Sequence, residues 1–440
     1  MRTAGMLEKC AWRSGRVGLG VLAVIVALGA GEPVVQPPEI PEASRRINAF
    51  TFDLLHRHAA RTNAPANAVL SAQSIYHSLA MSYVASGGKT RAELSRAVGF
   101  PLDHAGLLKD LKKLREDLHR KPERGRGPQL VMANSCWLDD RIAVYRKEYL
   151  RQIEEFFDVE PEQVAFAEPE KAAARINRWV SKQTRGRIKT VVQPEDFASR
   201  SVGQILDEAA FVLVNAVWFK GAWQNGFKKE DTASKPFHVD ETTTTAAPMR
   251  QKRGNFLYAE DEDFQLLELP YQNFTYSMYV LLPRKPAAVE TWLPKVTQDS
   301  LLKMMSAALE RSVDVVLPKF ESRCHLDAME MLQSMGVREA FDREAANFDW
   351  MIHKRREAFR IYISTCVHEA WMSVEEEGSE GAAATSATHR SIGCVAKAPR
   401  DPVLFQADHP FLYLIVHNES RSILFSGWFS DPREQAGNRE

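Results

Sequence analysis

His368 and Glu369 stand side by side as at the start of a zinc-protease helix, where two histidines four residues apart hold the metal and the adjoining glutamate activates water. Four residues on from His368 the chain has Met372, a thioether where the second imidazole is needed, so the pair does not make a metal site. The twelve histidines of the chain show no ligand spacing, and no two carboxylates are set as a general acid and base. Neither a G-x-S-x-G nucleophile elbow nor a G-x-x-x-x-G-K-[ST] phosphate cradle occurs. These residues predict no enzyme, no cofactor and no metal. The chain reads as something that enzymes act on.

The segment behind that reading is Glu375-Glu376-Glu377-Gly378-Ser379-Glu380-Gly381-Ala382-Ala383-Ala384-Thr385. An acidic cluster followed by small residues makes a poor core and a poor catalytic site. It suits an exposed loop that can later become a buried strand. Gly378 opens backbone dihedrals closed to other residues, and Ser379 and Ala382 to Ala384 are small enough to slide between existing strands. Taken alone, an alanine-rich flexible linker fits the same residues.

The rest of the chain must position that segment. Ile47, Phe50 and Leu54 repeat at helical spacing with Ser44 as the expected N-cap. Ser74 to Ser86 is apolar nearly all round, which predicts a buried helix ended by Gly87-Gly88, and Ala172 to Thr184 predicts another with Gly186 beyond it. Phe211 to Phe219 is an almost unbroken apolar run, as in a strand covered on both faces. Met278 to Leu282, Val313 to Leu317, Phe411 to Val416 and Ile423 to Phe429 are further strands. Helices gather in the first half and strands in the second, which predicts an α+β fold.

Composition sets outer bounds. With 440 residues the chain could hold two or three average domains or one large one. Its 57 basic and 57 acidic residues cancel, so there is no basic excess to draw nucleic acid or an anionic membrane. No internal repeat is visible. Arg2, Lys9, Arg13 and Arg16 precede the apolar run Val17 to Ala30, which predicts a signal peptide over residues 1–30 and a secreted protein, with an uncleaved membrane anchor as the alternative. Residues 31–43 read as a proline-rich spacer. Cys136, Cys324, Cys366 and Cys394 are widely separated and form no C-x-x-C pair. Cys136 and Cys366 are expected in the core, and Cys394 in the exposed loop, where its thiol would be open to oxidation.

Seven segments, in order, carry a family resemblance. Asn67-Ala68-Val69-Leu70-Ser71-Ala72-Gln73-Ser74-Ile75 is similar to the pattern N-x-(apolar)-(apolar)-S-P-x-S-I of the serpins. Ile176-Asn177-Arg178-Trp179-Val180 with Thr184-Arg185-Gly186-Arg187-Ile188, and Asn215-Ala216-Val217-Trp218-Phe219-Lys220-Gly221-Ala222-Trp223, resemble two further serpin segments. Leu317-Pro318-Lys319-Phe320, Val367-His368-Glu369-Ala370, Phe405 to Ile415 and Leu424 to Trp428 continue the match, which runs from about Arg46 to Pro432. The resemblance implies a serpin domain over residues 44–433 and a polar tail over 434–440. It implies a large central β-sheet, two smaller sheets, eight or nine helices and an exposed reactive-centre loop. It also implies a monomer that inhibits serine proteases by a suicide mechanism. A carrier, storage or chaperone role, or cysteine proteases as targets, stand as alternatives within the family.

The resemblance also assigns roles. Gly378 would be the hinge and Ser379 the first side chain to insert, with Glu376, Glu377, Glu380, Gly381 and Ala382, Ala383 and Ala384 around them. Glu376 and Lys319 match an ion pair where the loop enters, and Trp223 the aromatic packed there. Ser71, Ser74, Asn215 and His368 match a hydrogen-bonded cluster below the opening point, with Ala72 in place of the usual proline. Counting about fourteen residues on from Gly378 puts the reactive bond at Ile392–Gly393, while counting back from Pro410 favours Lys397–Ala398. The first suits an elastase-like pocket and the second a trypsin-like one. Residues 379–392, extended at about 3.3 Å each, reach roughly 46 Å. Asn273-Phe274-Thr275 and Asn418-Glu419-Ser420 are glycan acceptor sequences, and Lys109, Lys112, Lys113 and Arg115 a weak basic patch.

Overall fold

The computed structural model describes residues 40–61, 66–120, 127–140, 145–197, 209–353, 361–379 and 401–435. The expected signal segment and the loop residues Glu380 to Arg400, with both candidate reactive bonds and Cys394, lie outside the described residues.

The first helix, α1 (Glu42–Ala59), buries Ile47, Phe50 and Leu54, as their spacing predicts. Its N-cap is Pro41, whose ring holds φ at −52°, so the helix begins inside the stretch read as spacer and Ser44 lies buried in its first turn instead of capping it. Ser71 caps α2 (Ala72–Ala85), its hydroxyl accepting the Ser74 N–H at 3.3 Å, and every residue of α2 is buried. Gly99, at φ 78°, ends α3 (Gly88–Val98). Then come α4 (His104–Leu118), α5 (Lys147–Phe157) and α6 (Pro169–Gln183), followed by Gly186, also left-handed. The short helices α7 (Val289–Trp292), α8 (Gln298–Ala307) and α9 (Ala328–Ser334) follow among the strands.

The strands are β1 (Ala68–Leu70), β2 (Gln129–Asp139), β3 (Glu162–Val164), β4 (Ala209–Ala222), β5 (Thr232–His238), β6 (Thr244–Glu260), β7 (Phe264–Pro270), β8 (Tyr276–Pro283), β9 (Leu309–Pro318), β10 (Phe320–Asp327), β11 (Ile361–Val374), β12 (Gly378–Ser379), β13 (Val403–Gln406), β14 (Phe411–His417) and β15 (Ile423–Phe429). One sheet has six strands in the order β10-β11-β12-β4-β2-β3. Among the described residues the expected two smaller sheets form a single nine-stranded sheet. The reason lies in β6, whose 17 residues pair first with β5, then with β9, and finally with β7.

The six-stranded sheet is covered on both faces, which is why β4 reads as one apolar run. On one face α6 sets Ile176 and Val180 against Val212, Val214, Ala216, Trp137 and Val367. On the other, Phe211, Leu213, Val217 and Phe219 join the main core, where the Phe219 ring meets Tyr276 and Phe425 at 5.6 and 6.3 Å. Cys136, Cys324 and Cys366 are buried free thiols whose pKa values burial pushes up to about 12, so they stay protonated and unreactive.

Candidate functional site

Strands β4 and β11 run parallel and pair directly from Ala209 and Ile361 up to Trp218 and Trp371. Above that level they part. Two arginines of the Thr184–Ile188 motif mark the spot from the α6 side: the Arg185 guanidinium lies 5.7 Å from the Trp218 ring and that of Arg187 lies 5.9 Å from Trp371. Into the gap comes β12, antiparallel to both neighbours, with Gly378 opposite Ala222 and Ser379 opposite Gly221 and Val374. The sequence reading had Ser379 enter only after the loop is cut. In the structure it is already seated and wholly buried.

Local chemistry explains the seat. A hairpin turn joins β11 to β12: the Glu375 N–H donates to the Gly378 carbonyl at 2.7 Å and the Gly378 N–H returns to the Glu375 carbonyl at 3.3 Å. Gly378 sits at φ 156°, and a Cβ there would lie 2.1 Å from the Gly221 carbonyl oxygen, so no other residue fits. The Ser379 hydroxyl is 2.6 Å from the Tyr271 hydroxyl. Tyr271 in turn stacks on Trp223 with ring centroids 4.5 Å apart. The Trp223 indole donates to the Glu375 carbonyl at 3.0 Å, and the backbone N–H groups of Trp223 and Phe227 donate to the Glu377 and Glu376 carbonyls at 2.9 and 2.8 Å.

Charges close the entry. Lys319 Nζ lies 3.0 Å from the Glu376 carboxylate and 2.7 Å from that of Glu375. Glu376 is buried and also accepts the Thr232 hydroxyl at 2.9 Å. Burial works to raise its pKa, but hydrogen bonds from its own backbone, Lys319 and Thr232 outweigh that and hold it below the usual carboxylate value. Burial would likewise lower the Lys319 ammonium, and the two carboxylates reverse the shift. Glu377 faces Lys229 at 3.3 Å.

Lower in the sheet, where β4 and β11 still touch, His368 stands opposite Asn215. The Ser71 N–H donates to His368 Nε2 at 3.1 Å, which leaves the ring proton on Nδ1, an atom with no hydrogen-bond partner among the described residues. Burial depresses the His368 pKa to about 3, so the ring is neutral. The Ser74 hydroxyl lies 2.6 Å from the Asn134 side-chain oxygen and 3.5 Å from that of Asn215, whose amide donates to the Val367 carbonyl at 3.5 Å. Ser71, Ser74, Asn215 and His368 therefore do meet in space.

Sequence reading missed Asn134, although a lone amide in the apolar run of β2, in register with Asn215, is a legible signal. It also missed Tyr271, Arg250 and the pairing of Glu375 with Lys319. Arg250 is fully buried, its guanidinium donating to the main-chain carbonyls of Glu375, Pro318 and Leu317, and burial lowers its pKa to about 10. Its sequence neighbourhood gives no hint of this. Contacts also place the residues of two further sequence readings. Lys112 and Arg115 of the basic patch pair with Glu155 and Asp158 at 3.2 and 3.3 Å. The Asn418 amide is spent on Phe274 and Ser277, both at 2.9 Å, while Asn273 is exposed.

Comparison with known proteins agrees with this geometry. The family model described as serpin (serine protease inhibitor) matches residues 45–432. An uncharacterised serpin-like protein of Thermococcus kodakarensis is 34% identical, over 88% of this chain and 85% of its own. Human plasminogen activator inhibitor 2 is 31% identical, over 86% and 97%. Human thyroxine-binding globulin, solved with thyroxine, superposes with a TM-score of 0.76 over 89% of this chain and 99% of its own, at 23% identity. A parted central sheet with a glycine–serine hinge at its mouth, and a family match over most of its length, establish that the chain belongs to the serpin family.

Proposed function

We propose that this chain is a secreted suicide-substrate inhibitor of serine proteases. The observation that carries the reading is the seating of Gly378 and Ser379 between β4 and β11, a started strand with nowhere to go but further in. A protease's serine oxygen adds to a carbonyl in the loop following Ser379. The amine of the next residue leaves with a proton, and the loop remains as an acyl ester on the protease. Released at that end, the loop lengthens β12.

Continuing the antiparallel register sets Glu380 opposite Lys220 and Ser373, and Gly381 opposite Phe219 and Met372. Ala382 then separates Trp218 from Trp371, and Thr385 comes level with Asn215 and His368. Glu380 and Gly381 fill the stretch where β4 and β11 have already parted, and from Ala382 on each step replaces a direct β4–β11 pairing with two new ones, so hydrogen bonds and buried area grow as the strand enters. Small residues keep the entry free of clashes, and a chain about 46 Å long drags the protease along the sheet and distorts its active site before water can hydrolyse the ester. The native state is held short of its best packing, so its persistence is kinetic.

Secretion rests on the N-terminal apolar segment. No helix among the described residues is long and apolar enough to cross a membrane. The test is to mix the protein with elastase-, trypsin-, chymotrypsin- and subtilisin-type proteases and run a denaturing gel, with mass spectrometry of the released peptide. A covalent complex supports the reading, and the peptide mass decides between Ile392–Gly393 and Lys397–Ala398. Cleavage without a complex across the panel, with no gain in heat resistance, overturns it in favour of a non-inhibitory role. A complex with cysteine proteases alone redirects the target class.

A further inference from the structure

Arg250 lies on β6 behind the hinge turn, with no exposed surface. Its Nη1 donates to the Glu375 carbonyl, its Nη2 to the Pro318 carbonyl at 2.9 Å and its Nε to the Leu317 carbonyl at 3.5 Å. One face of the guanidinium rests 4.8 Å from the centre of the Phe227 ring, and the Phe227 N–H binds the Glu376 carbonyl. Among the described residues no carboxylate forms an ion pair with it: Glu375 and Glu376 give their carboxylates to Lys319. Burying a guanidinium is costly unless its donors are met, and an apolar side chain such as that of the adjacent, buried Met249 would fill the space at lower cost. Arg250 does what an apolar residue cannot. It joins the carbonyls at the end of β9 to the carbonyl at which β11 turns into β12.

We propose that Arg250 is a positioning residue for loop insertion, its guanidinium pinning the Glu375 carbonyl so that the Glu375–Gly378 turn is formed before the loop is cut. The inference rests on the inhibitor reading above. Glu375 is the point about which the inserting strand reverses direction, and its carbonyl also receives the Trp223 indole N–H and the Gly378 N–H. With Arg250 in place, insertion begins from two residues already in register. Without it the turn frays, the first pairing must form during the race against deacylation, and more of the acyl-enzyme is hydrolysed.

The experiment compares wild type, Arg250→Met and Arg250→Lys. Amide hydrogen exchange of residues 375–379 in the uncut protein reads the turn without any protease. Stoichiometry of inhibition and the rate of loop cleavage read the consequence. In Arg250→Met the hinge amides exchange about tenfold faster and the moles cleaved per protease trapped rise about tenfold, the factor expected for one lost charge-assisted hydrogen bond. The cleavage rate stays put. Arg250→Lys keeps the charge but cannot span three carbonyls, and falls between; it carries the test alone where the methionine variant does not fold. Unchanged hinge exchange in either folded variant overturns the inference, and so does a rise in exchange spread evenly over the whole domain. If wild type itself traps no protease, the inhibitor reading fails, while the exchange result still decides whether Arg250 holds the turn.

Discussion

The hydroxyls of Ser379 and Tyr271 lie 2.6 Å apart in a space closed to solvent, so the residue that the proposed mechanism inserts first is already bonded to the core in the uncut chain. This makes Ser379→Arg a direct test. A guanidinium at that point has no counter-charge and no exit, and burying it there costs more than the seat returns. The hinge then leaves the sheet, and the protein is cleaved as a substrate. Stoichiometry of inhibition is the measurement, expected to rise at least tenfold; an unchanged value would sink loop insertion as the mechanism.

Gly378→Ala tests the same hinge from the backbone side. The added carbon meets the Gly221 carbonyl oxygen at 2.1 Å and the Ala222 Cα at 2.7 Å, both main-chain atoms that cannot move aside. A φ of 156° adds backbone strain for any residue with a Cβ. The expected result is loss of protection at Ser379 with little change in the midpoint of global heat unfolding. Retained protection at Ser379 would show that the crowding is relieved elsewhere.

Why some of this could be read from the sequence, and some not, comes down to locality. Helices α1, α2 and α6 and strands β4, β8, β9, β14 and β15 follow from patterns within a dozen residues, as the buried run of α2 follows from its lack of a polar face, whereas the long strands β6 and β11 do not stand out locally. The segment at Gly378 and Ser379 stood out because smallness is a property of the residues themselves. Arg250 did not. Nothing beside it in sequence says that three carbonyls from Leu317, Pro318 and Glu375 converge on it, and an arginine opening the polar run Arg250-Gln251-Lys252-Arg253 reads as surface. Tyr271 was hidden for the same reason, since its partners Trp223 and Ser379 are distant in sequence. The union of the two smaller sheets needed the pairing of β6 along its whole length, which no local pattern encodes.

The ion pair at the loop entry should couple to stability more than an exposed pair does, because the Glu376 side chain is 6% exposed and that of Lys319 is 30%. Glu376→Gln keeps the shape but removes the charge of one of the two carboxylates, Glu376 and Glu375, that lie within 3.0 Å of Lys319. A loss of about 1–3 kcal/mol is expected, as for a broken charged hydrogen bond. A double-mutant cycle with Lys319→Met should return a coupling of about 1–2 kcal/mol. A coupling near zero would mean that the two groups are merely neighbours, with Glu376 held by Thr232 and its own backbone.

Acid should destabilise the fold through histidines that are buried neutral. Burial lowers His58 and His77 to about 4 and His368 to about 3, against about 6.5 in the unfolded chain. Between those values the unfolded state binds more protons than the native one, so stability falls as pH drops below the unfolded value and continues to fall until the folded value is reached. One such histidine costs about 2 kcal/mol between pH 7 and pH 5. Glu376, held below its ordinary pKa, adds a loss of the same sign at lower pH. His325 opposes them: its hydrogen bond to Glu369 raises its pKa, so its contribution is complete below the ordinary histidine value and fades as pH rises through the folded one. That side chain is 57% exposed, which makes its share small. Heat midpoints at one scan rate across pH 5 to 7 should therefore fall toward acid in wild type. In His368→Gln, where an amide oxygen can still accept the Ser71 N–H, the slope should be shallower by close to one proton. An identical slope in the variant would mean that His368 is charged in the native state, and that the neutral ring assigned to the cluster below the opening point is wrong.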